Sequence, residues 1–343
     1  MTVPAAAAAT TTGEYAELLN EVRSAGLLRR RYDYYALKIS GNLIMLAGAW
    51  VAFAFIGDSW WQLIIAALLA VLFAQLAFVG HDAGHKQIFR TRRPNDLIGT
   101  VHGGLVGMSF RRWVSVHNRH HANPNHEEHD PDLDIPALAF TSRQARLKSG
   151  FLRWMAKHQA VLFFPLLTLE GLNLHVSGVR AIWQGQTKAR RLEGLLLTAH
   201  VVIYLGAVFV VLSPGVAVLF IVVHQALWGV YMGCSFAPNH KGMPTTTGES
   251  ADFLRKQVLT ARNVRGGRIT DFVFGGLNYQ IEHHLFPNLP RANLRAVRAL
   301  VRAHCAERAI TYTETSLVGS YAIVLRHLHG LGAPLRQARL APA

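Results

Sequence analysis

Apolar positions in this chain gather into long runs, and basic residues crowd the stretches between them. Residues 39–56 and 60–80 form the first two runs, parted only by Gly57, Asp58 and Ser59. Residues 195–212 and 216–236 form the second two, parted by Ser213, Pro214 and Gly215. At about 1.5 Å rise per residue, each run reaches roughly the 30 Å hydrocarbon thickness of a bilayer. The pattern predicts an all-α integral membrane protein with two helical hairpins, about four spans in all. Arg29, Arg30, Arg31 and Lys38 precede the first hairpin, and Lys86, Arg90, Arg92 and Arg93 follow it. Basic residues mark the cytoplasmic side, so both ends of the hairpin, and both chain termini, are expected there. Trp60 and Trp61 suit the opposite interface.

The remaining segments are polar or amphipathic. Residues 1–12 are an Ala/Thr-rich lead without Lys or Arg, which lacks the n-region of a signal peptide and is expected to be disordered. Residues 14–28 carry Tyr15, Leu18, Leu19 and Val22 at helical spacing, as an interfacial helix would. Residues 86–154 are too polar to span and hold Pro94, Pro124, Pro131 and Pro136. Residues 159–169 are apolar but short, contain Pro165, and lead into Glu170, Asn173 and His175. They read as a helix in the interface or part way into the membrane. Helices are expected near residues 254–260 and along Leu294, Val297, Leu300, Val301 and His304. Three segments follow: an N-terminal lead and interfacial helix (1–31), a membrane domain with a cytoplasmic helical cap (32–312), and a C-terminal tail (313–343).

Composition agrees: 51% of residues are hydrophobic, only 16% are charged, and the net charge is +15. Basic loops flanking apolar spans read as membrane topology, and no nucleic-acid partner is expected. Cys234 and Cys305 are too few for a disulfide framework and have no zinc-site spacing.

Histidine carries the chemistry. His117, His120 and His121 fall at i, i+3 and i+4, on one face of a helix expected over residues 111–121. His81 and His85 repeat the i, i+4 spacing, and His283 and His284 the adjacent pair. Neutral imidazoles converging in this way suit a first-row transition metal, and seven of them exceed what one ion takes. The Glu-x-x-His motif of soluble di-iron bundles is absent, and His126-Glu127-Glu128-His129 has the wrong spacing for a zinc protease. On softness alone, zinc, iron and copper all remain open. All three clusters are expected just outside the spans on one side. A transporter would instead place its ionisable residues near the midplane.

These motifs resemble the membrane-bound fatty acid desaturases: His81-x-x-x-His85, His117-x-x-His120-His121 and Gln280-x-x-His283-His284, in order and separated by the span pairs. The similarity runs from about Tyr32 to Pro290, and Gln280-Ile-Glu-His-His-Leu-Phe-Pro287 and Gly80-His-Asp-Ala-Gly-His85 are its most specific stretches. The resemblance implies a centre of two iron ions, with dioxygen as co-substrate, that inserts a double bond into an acyl chain carried by CoA or a lipid. It extends the ligand set to His240, in Phe236-Ala-Pro-Asn-His240-Lys. Gln280 stands where many members have histidine, and is a candidate metal or water ligand. No His-Pro-Gly-Gly motif of a fused cytochrome b5 domain occurs. Electrons are therefore expected from a separate ferredoxin, flavin reductase or cytochrome b5. A hydroxylase or ketolase of a lipid, sterol or carotenoid on the same scaffold is the nearest alternative. A metal-binding or transport protein is the alternative from another class. A bacterial cytoplasmic membrane is the expected location.

Asp82, Asp130 and Glu282 are candidate acceptors for ligand N–H groups, along with Asp132 and Asp134. His175 is a candidate lining residue of the acyl tunnel. Arg111, Arg112 and Arg119 are placed to meet a phosphate head group or an acidic donor. His200 and His224 lie inside spans and read as single hydrogen-bonded residues. His102, His126 and His129 read as outlying, and His158, His304, His327 and His329 as surface residues.

Overall fold

The computed structural model describes residues 11–248 and 252–337. In chain order its helices are α1 (Thr11–Ser24), α2 (Tyr32–Ile56), α3 (Gln62–Gly84), α4 (Arg92–Leu105), α5 (Phe110–Ala122), α6 (Ser142–Leu147), α7 (Gly150–Leu167) and α8 (Glu170–Trp183). There follow α9 (Arg190–Val211), α10 (Pro214–His240), α11 (Phe253–Leu259), α12 (Arg268–Val273), α13 (Gln280–Leu285), α14 (Leu294–Glu307) and α15 (Leu317–Gln337). A two-residue parallel pair, β1 (Asn263–Val264) with β2 (Glu314–Thr315), is the only sheet among the described residues. The disorder expected for residues 1–12 concerns positions that, up to residue 10, lie outside the described residues; the helix begins at Thr11.

Among the described residues, four helices are long and apolar enough to cross a membrane: α2, α3, α9 and α10. They coincide with the four expected runs, but α3 and α10 continue past them to Gly84 and His240, into the histidine motifs. Helices α7 and α8 pass the same test only when taken together across their break. The stretch read as interfacial or part-way inserted is thus a helix pair bent by 81°, with Pro165 near the end of α7.

The chain divides into two compact units. One comprises Arg30–Ser115 and Leu166–Cys234. Within it α3 packs against α2 and α4, and α9 against α4 and α8. Helix α3 is the most buried span, while α2 and α9 leave Phe55 and Val210 exposed, as lipid-facing helices do. Gly99 admits the Phe110 ring so closely that a Cβ would lie 2.2 Å from it. Ser109 caps α5, accepting from Arg112 N at 3.2 Å. The buried Glu193 carboxylate accepts from Arg111 N (2.8 Å), Ser109 Oγ (3.0 Å) and Thr187 Oγ1 (2.8 Å), and so fixes the start of α5.

The other unit comprises Met1–Arg29, Val116–Pro165 and Ser235–Ala343. Its core joins Leu18 and Val22 of α1, Leu254 and Val258 of α11, Ile281 and Leu285 of α13, and Val297, Val301 and Cys305 of α14. His304, expected at the surface, is buried, because the face of α14 that carries Val297 and Val301 also carries it inward. The segment 313–343, read as a tail, contains α15, which packs on α6.

Candidate metal centre

Helix α5 carries His117, His120 and His121; α10 ends on His240; α13 carries His283 and His284. Five of the six are buried, His121 being partly so. Their rings meet: His120–His240 centroids lie 4.7 Å apart, His120–His284 5.1 Å and His240–His284 4.7 Å. His121 stacks on His284 at 4.2 Å and meets His283 edge-on at 4.7 Å. One ring nitrogen each from His120, His240 and His284 falls within 4.8 Å of the others.

The hydrogen bonds behind these rings fix which nitrogen faces the group. His240 Nδ1 donates to Thr260 O at 3.0 Å, and a carbonyl can only accept. His284 Nδ1 lies 2.9 Å from Gln257 Oε1. Gln257 Nε2 donates to His121 O at 3.0 Å, which sets that amide's orientation. His120 Nδ1 lies 2.9 Å from Asp130 Oδ1. All three imidazoles therefore hold their proton on Nδ1 and turn the Nε2 lone pair inward. His240 Nε2 and His284 Nε2 are 3.1 Å apart, as are His117 Nε2 and His121 Nε2. Two lone pairs at that distance repel unless a cation lies between them. Two ligands about 2.1 Å from one ion at a right angle would sit about 3.0 Å apart. For His240 and His284, whose Nδ1 atoms each face an acceptor, the donor set thus fits a metal ion.

Asp130 is the hub of the outer contacts. Besides His120 it accepts from Asn125 N at 2.7 Å and Asp132 N at 2.9 Å. Burial works to raise its pKa, but its bond to His120, the charge that ring carries once protonated in acid, and the Lys241 charge outweigh this and hold it at about 2. His120 is raised in turn: burial opposes its charge, and Asp132 and Asp130 favour it more strongly. Lys241 is buried, donates to Asp132 O at 2.8 Å and lies over the Phe140 ring.

Within their own unit His81 and His85 are both buried, with centroids 4.7 Å apart and Trp113 beside each. His81 Nδ1 lies 3.3 Å from Asp82 Oδ1. Of the candidate acceptors, Asp82 and Asp130 thus meet an imidazole, and Asp132 Oδ2 lies 3.5 Å from His120 Nδ1. Glu282 instead accepts from Asn263 Nδ2 and Tyr312 Oη, each at 2.7 Å, and ties α13 to β1. Burial raises its pKa. Gln280 sets its amide nitrogen 2.9 Å from His240 Nε2 and its oxygen 3.2 Å from Asn239 Nδ2. Asn239 Nδ2 also donates to Leu277 O, so the network turns the Gln280 oxygen toward Asn239.

His175 Nδ1 bonds Gly107 O at 2.8 Å, with its ring 5.2 Å from Trp228. His224 Nδ1 pairs with Tyr204 Oη at 2.8 Å, the single hydrogen-bonded role expected of it. His126 Nε2 lies 3.0 Å from Gly248 O and its ring stacks on His129, while His102 bonds Ile98 O. Asn125, Gln257 and Thr260 were not singled out from sequence. Only Asn125, a turn-former after Pro124, carried a local signal.

Residues 58–316 match the family model described as Fatty acid desaturase. The chain is 30% identical to Delta(8)-fatty-acid desaturase of Euglena gracilis over 350 residues, covering 95% of this chain and 80% of that protein. It is 30% identical to Fatty acid desaturase 3 of Bos taurus, covering 93% and 73%. It is 28% identical to Acyl-lipid (9-3)-desaturase of Physcomitrium patens over 86% of its own length, but spans only 58% of that relative. With the family model matched across most of its length and a relative 30% identical over 95% of it, the chain belongs to the fatty acid desaturase family.

Proposed function

We propose that this protein is an oxygen-dependent acyl desaturase whose two irons are held by His81, His85, His117, His120, His121, His240, His283 and His284. The inward-facing Nε2 atoms of His120, His240 and His284, each with Nδ1 held by an acceptor, carry the reading. When bound, the irons supply the activation of dioxygen that C–H cleavage requires. In the balanced reaction, –CH2–CH2– becomes –CH=CH–. The two hydrogens removed, with two electrons and two protons from a donor, reduce O2 to two waters. A separate ferredoxin, flavin reductase or cytochrome b5 supplies the electrons.

The protein's own residues hold and shield. Asp82 and Asp130 orient His81 and His120. Gln280, beside His240, holds a water of the centre. His175 lines the acyl path in the membrane unit. A lipid-bound acyl chain is the favoured substrate, since the four apolar helices bring the protein to the bilayer where such chains lie. The basic flanks of those helices support a cytoplasmic centre and cytoplasmic termini. The three relatives named above come from eukaryotes and lend no support to a bacterial source.

The test compares fatty acid profiles, by gas chromatography and mass spectrometry, from a host expressing the chain with a reductase partner and from one expressing His120→Ala. A new unsaturated peak only with the intact chain is expected. A hydroxylated product in its place, or an unchanged profile from well-expressed, iron-loaded protein, overturns the desaturase assignment. Wild-type product from His120→Ala overturns the ligand assignment.

A further inference from the structure

Asn125 lies four residues beyond His121, just past the end of α5, at φ 55°. That left-handed conformation is one that asparagine and glycine adopt at low cost. The residue is 2% exposed. Its backbone is engaged on both sides: the N–H donates to Asp130 Oδ2 at 2.7 Å, and the carbonyl accepts from Thr246 N at 3.0 Å. Its side-chain nitrogen reaches three carbonyls, His240 O (3.0 Å), Thr260 O (3.2 Å) and Pro244 O (3.3 Å).

These partners belong to the imidazole group. Asp130 accepts from His120 Nδ1, and Thr260 O accepts from His240 Nδ1. His240 O is one of the carbonyls that the end of α10 leaves without a helical partner. One buried amide therefore holds the acceptor behind His240 and the backbone of His240 itself. Its main chain holds the acceptor behind His120. We infer that Asn125 is a positioning residue that couples the orientation of His120 to that of His240, and so sets the metal affinity of the centre. The inference rests on the di-iron reading above.

Two substitutions separate the roles. Asn125→Gly keeps the backbone conformation and the bond to Asp130 but deletes the amide. Asn125→Asp keeps the shape and the tolerated φ but points a carboxylate oxygen at three carbonyls, where nothing donates. Outer partners of metal ligands typically set affinity by about 10–100-fold. Full-length protein purified in detergent would be assayed for iron content, for iron retention against a graded chelator, and for the ligand-field spectrum of a cobalt(II)-loaded form. Thermal unfolding would be followed in parallel.

The expected result is about a tenfold loss of iron affinity in Asn125→Gly and a larger loss in Asn125→Asp, each with a shifted cobalt spectrum in folded protein. Wild-type retention and an unchanged spectrum in Asn125→Gly overturn the inference while leaving the di-iron reading in place. A fall in thermal midpoint with affinity and spectrum unchanged reduces Asn125 to a structural turn and also overturns it. Wild-type protein that takes up no iron is a failure of the parent reading and is told apart by that control. If Asn125→Asp does not fold, Asn125→Gly alone decides.

Discussion

Replacing Asp130 with asparagine tests the hydrogen-bond logic of the centre most directly. The carboxylate is 3% exposed and accepts three bonds: from His120 Nδ1 and Asp132 N on Oδ1, and from Asn125 N on Oδ2. Asparagine keeps the shape but turns one acceptor arm into an NH2. With its oxygen toward His120, the NH2 faces the Asn125 N–H. Flipped, it faces two donors instead of one. Either way a buried donor meets a donor, and the favoured orientation is the first.

The magnitude follows from those partners. A hydrogen bond to a charged group contributes about 1.5–3 kcal/mol, and an unsatisfied buried donor costs about 1–3 kcal/mol. The two overlap in part, so a loss of about 3–5 kcal/mol is expected, against a typical total stability of about 5–15 kcal/mol. The protein still folds, with a clearly lower thermal midpoint. Iron affinity falls about 10–100-fold, because His120 loses the charge that steadies its Nδ1–H. Asp132→Asn is the control: its Oδ2 is 3.5 Å from His120 Nδ1 and its side chain is 42% exposed, so about 1 kcal/mol or less is expected. Chelator titration and thermal unfolding in detergent read both quantities. If Asp130→Asn holds iron within twofold of wild type, His120 is not oriented by its carboxylate, and the tautomer argument for the centre fails with it.

Because the Asp130 pKa falls from its ordinary 3.8 to about 2 in the folded protein, its stabilisation is present above 3.8 and is lost as pH drops through about 2. The gap in thermal midpoint between wild type and Asp130→Asn should therefore narrow between pH 4 and pH 2; a constant gap across that range would contradict the assignment. Gly229→Ala would place a Cβ 2.5 Å from Leu167 O and 2.7 Å from Gly171 N, backbone atoms that cannot yield cheaply. It should cost about 1–3 kcal/mol in thermal stability, whereas Gly206→Ala, with nothing within 4 Å of its Cβ, should change little. Glu282→Gln should lower stability by about 1–3 kcal/mol through its bonds to Asn263 and Tyr312 yet leave iron content intact; lost iron at unchanged stability would make Glu282 an acceptor for a ligand after all.

The spans were legible because a helix that crosses a bilayer must be long and apolar, and residues 39–56, 60–80, 195–212 and 216–236 are both. The α5 histidines stood out because i, i+3 and i+4 share one helix face, and their rings meet those of α10 and α13. Glu282 misleads by proximity. Neighbours on a helix project about 100° apart, and Glu282 faces Asn263 and Tyr312 while His283 faces His121. Gln257 belongs to the same lesson. It sits 27 residues from the imidazole it orients, on a short helix whose pattern announces only a buried face.

What sequence could not disclose is how the end of α10 is completed, and that end delivers His240. A helix leaves its final carbonyls without partners, and Pro238 stands inside its last turn. Pro238 O accepts from Ser320 Oγ at 2.5 Å, Asn239 O from Arg262 N at 2.9 Å, and His240 O from Asn125 Nδ2. Arg262 is itself fully buried. It donates to Lys241 O and to Ser320 Oγ, so the guanidinium joins two of the capping segments. Burial lowers its pKa to about 10, which still leaves it charged and an obligate donor at neutral pH. Three segments distant in the chain thus close one helix terminus. One of them is α15, whose Ser320, Val324, Leu328, Gly332 and Leu335 form a buried stripe. No local periodicity encodes a cap assembled in this way. The stretch read as a tail therefore holds, through Ser320, the backbone two residues from His240.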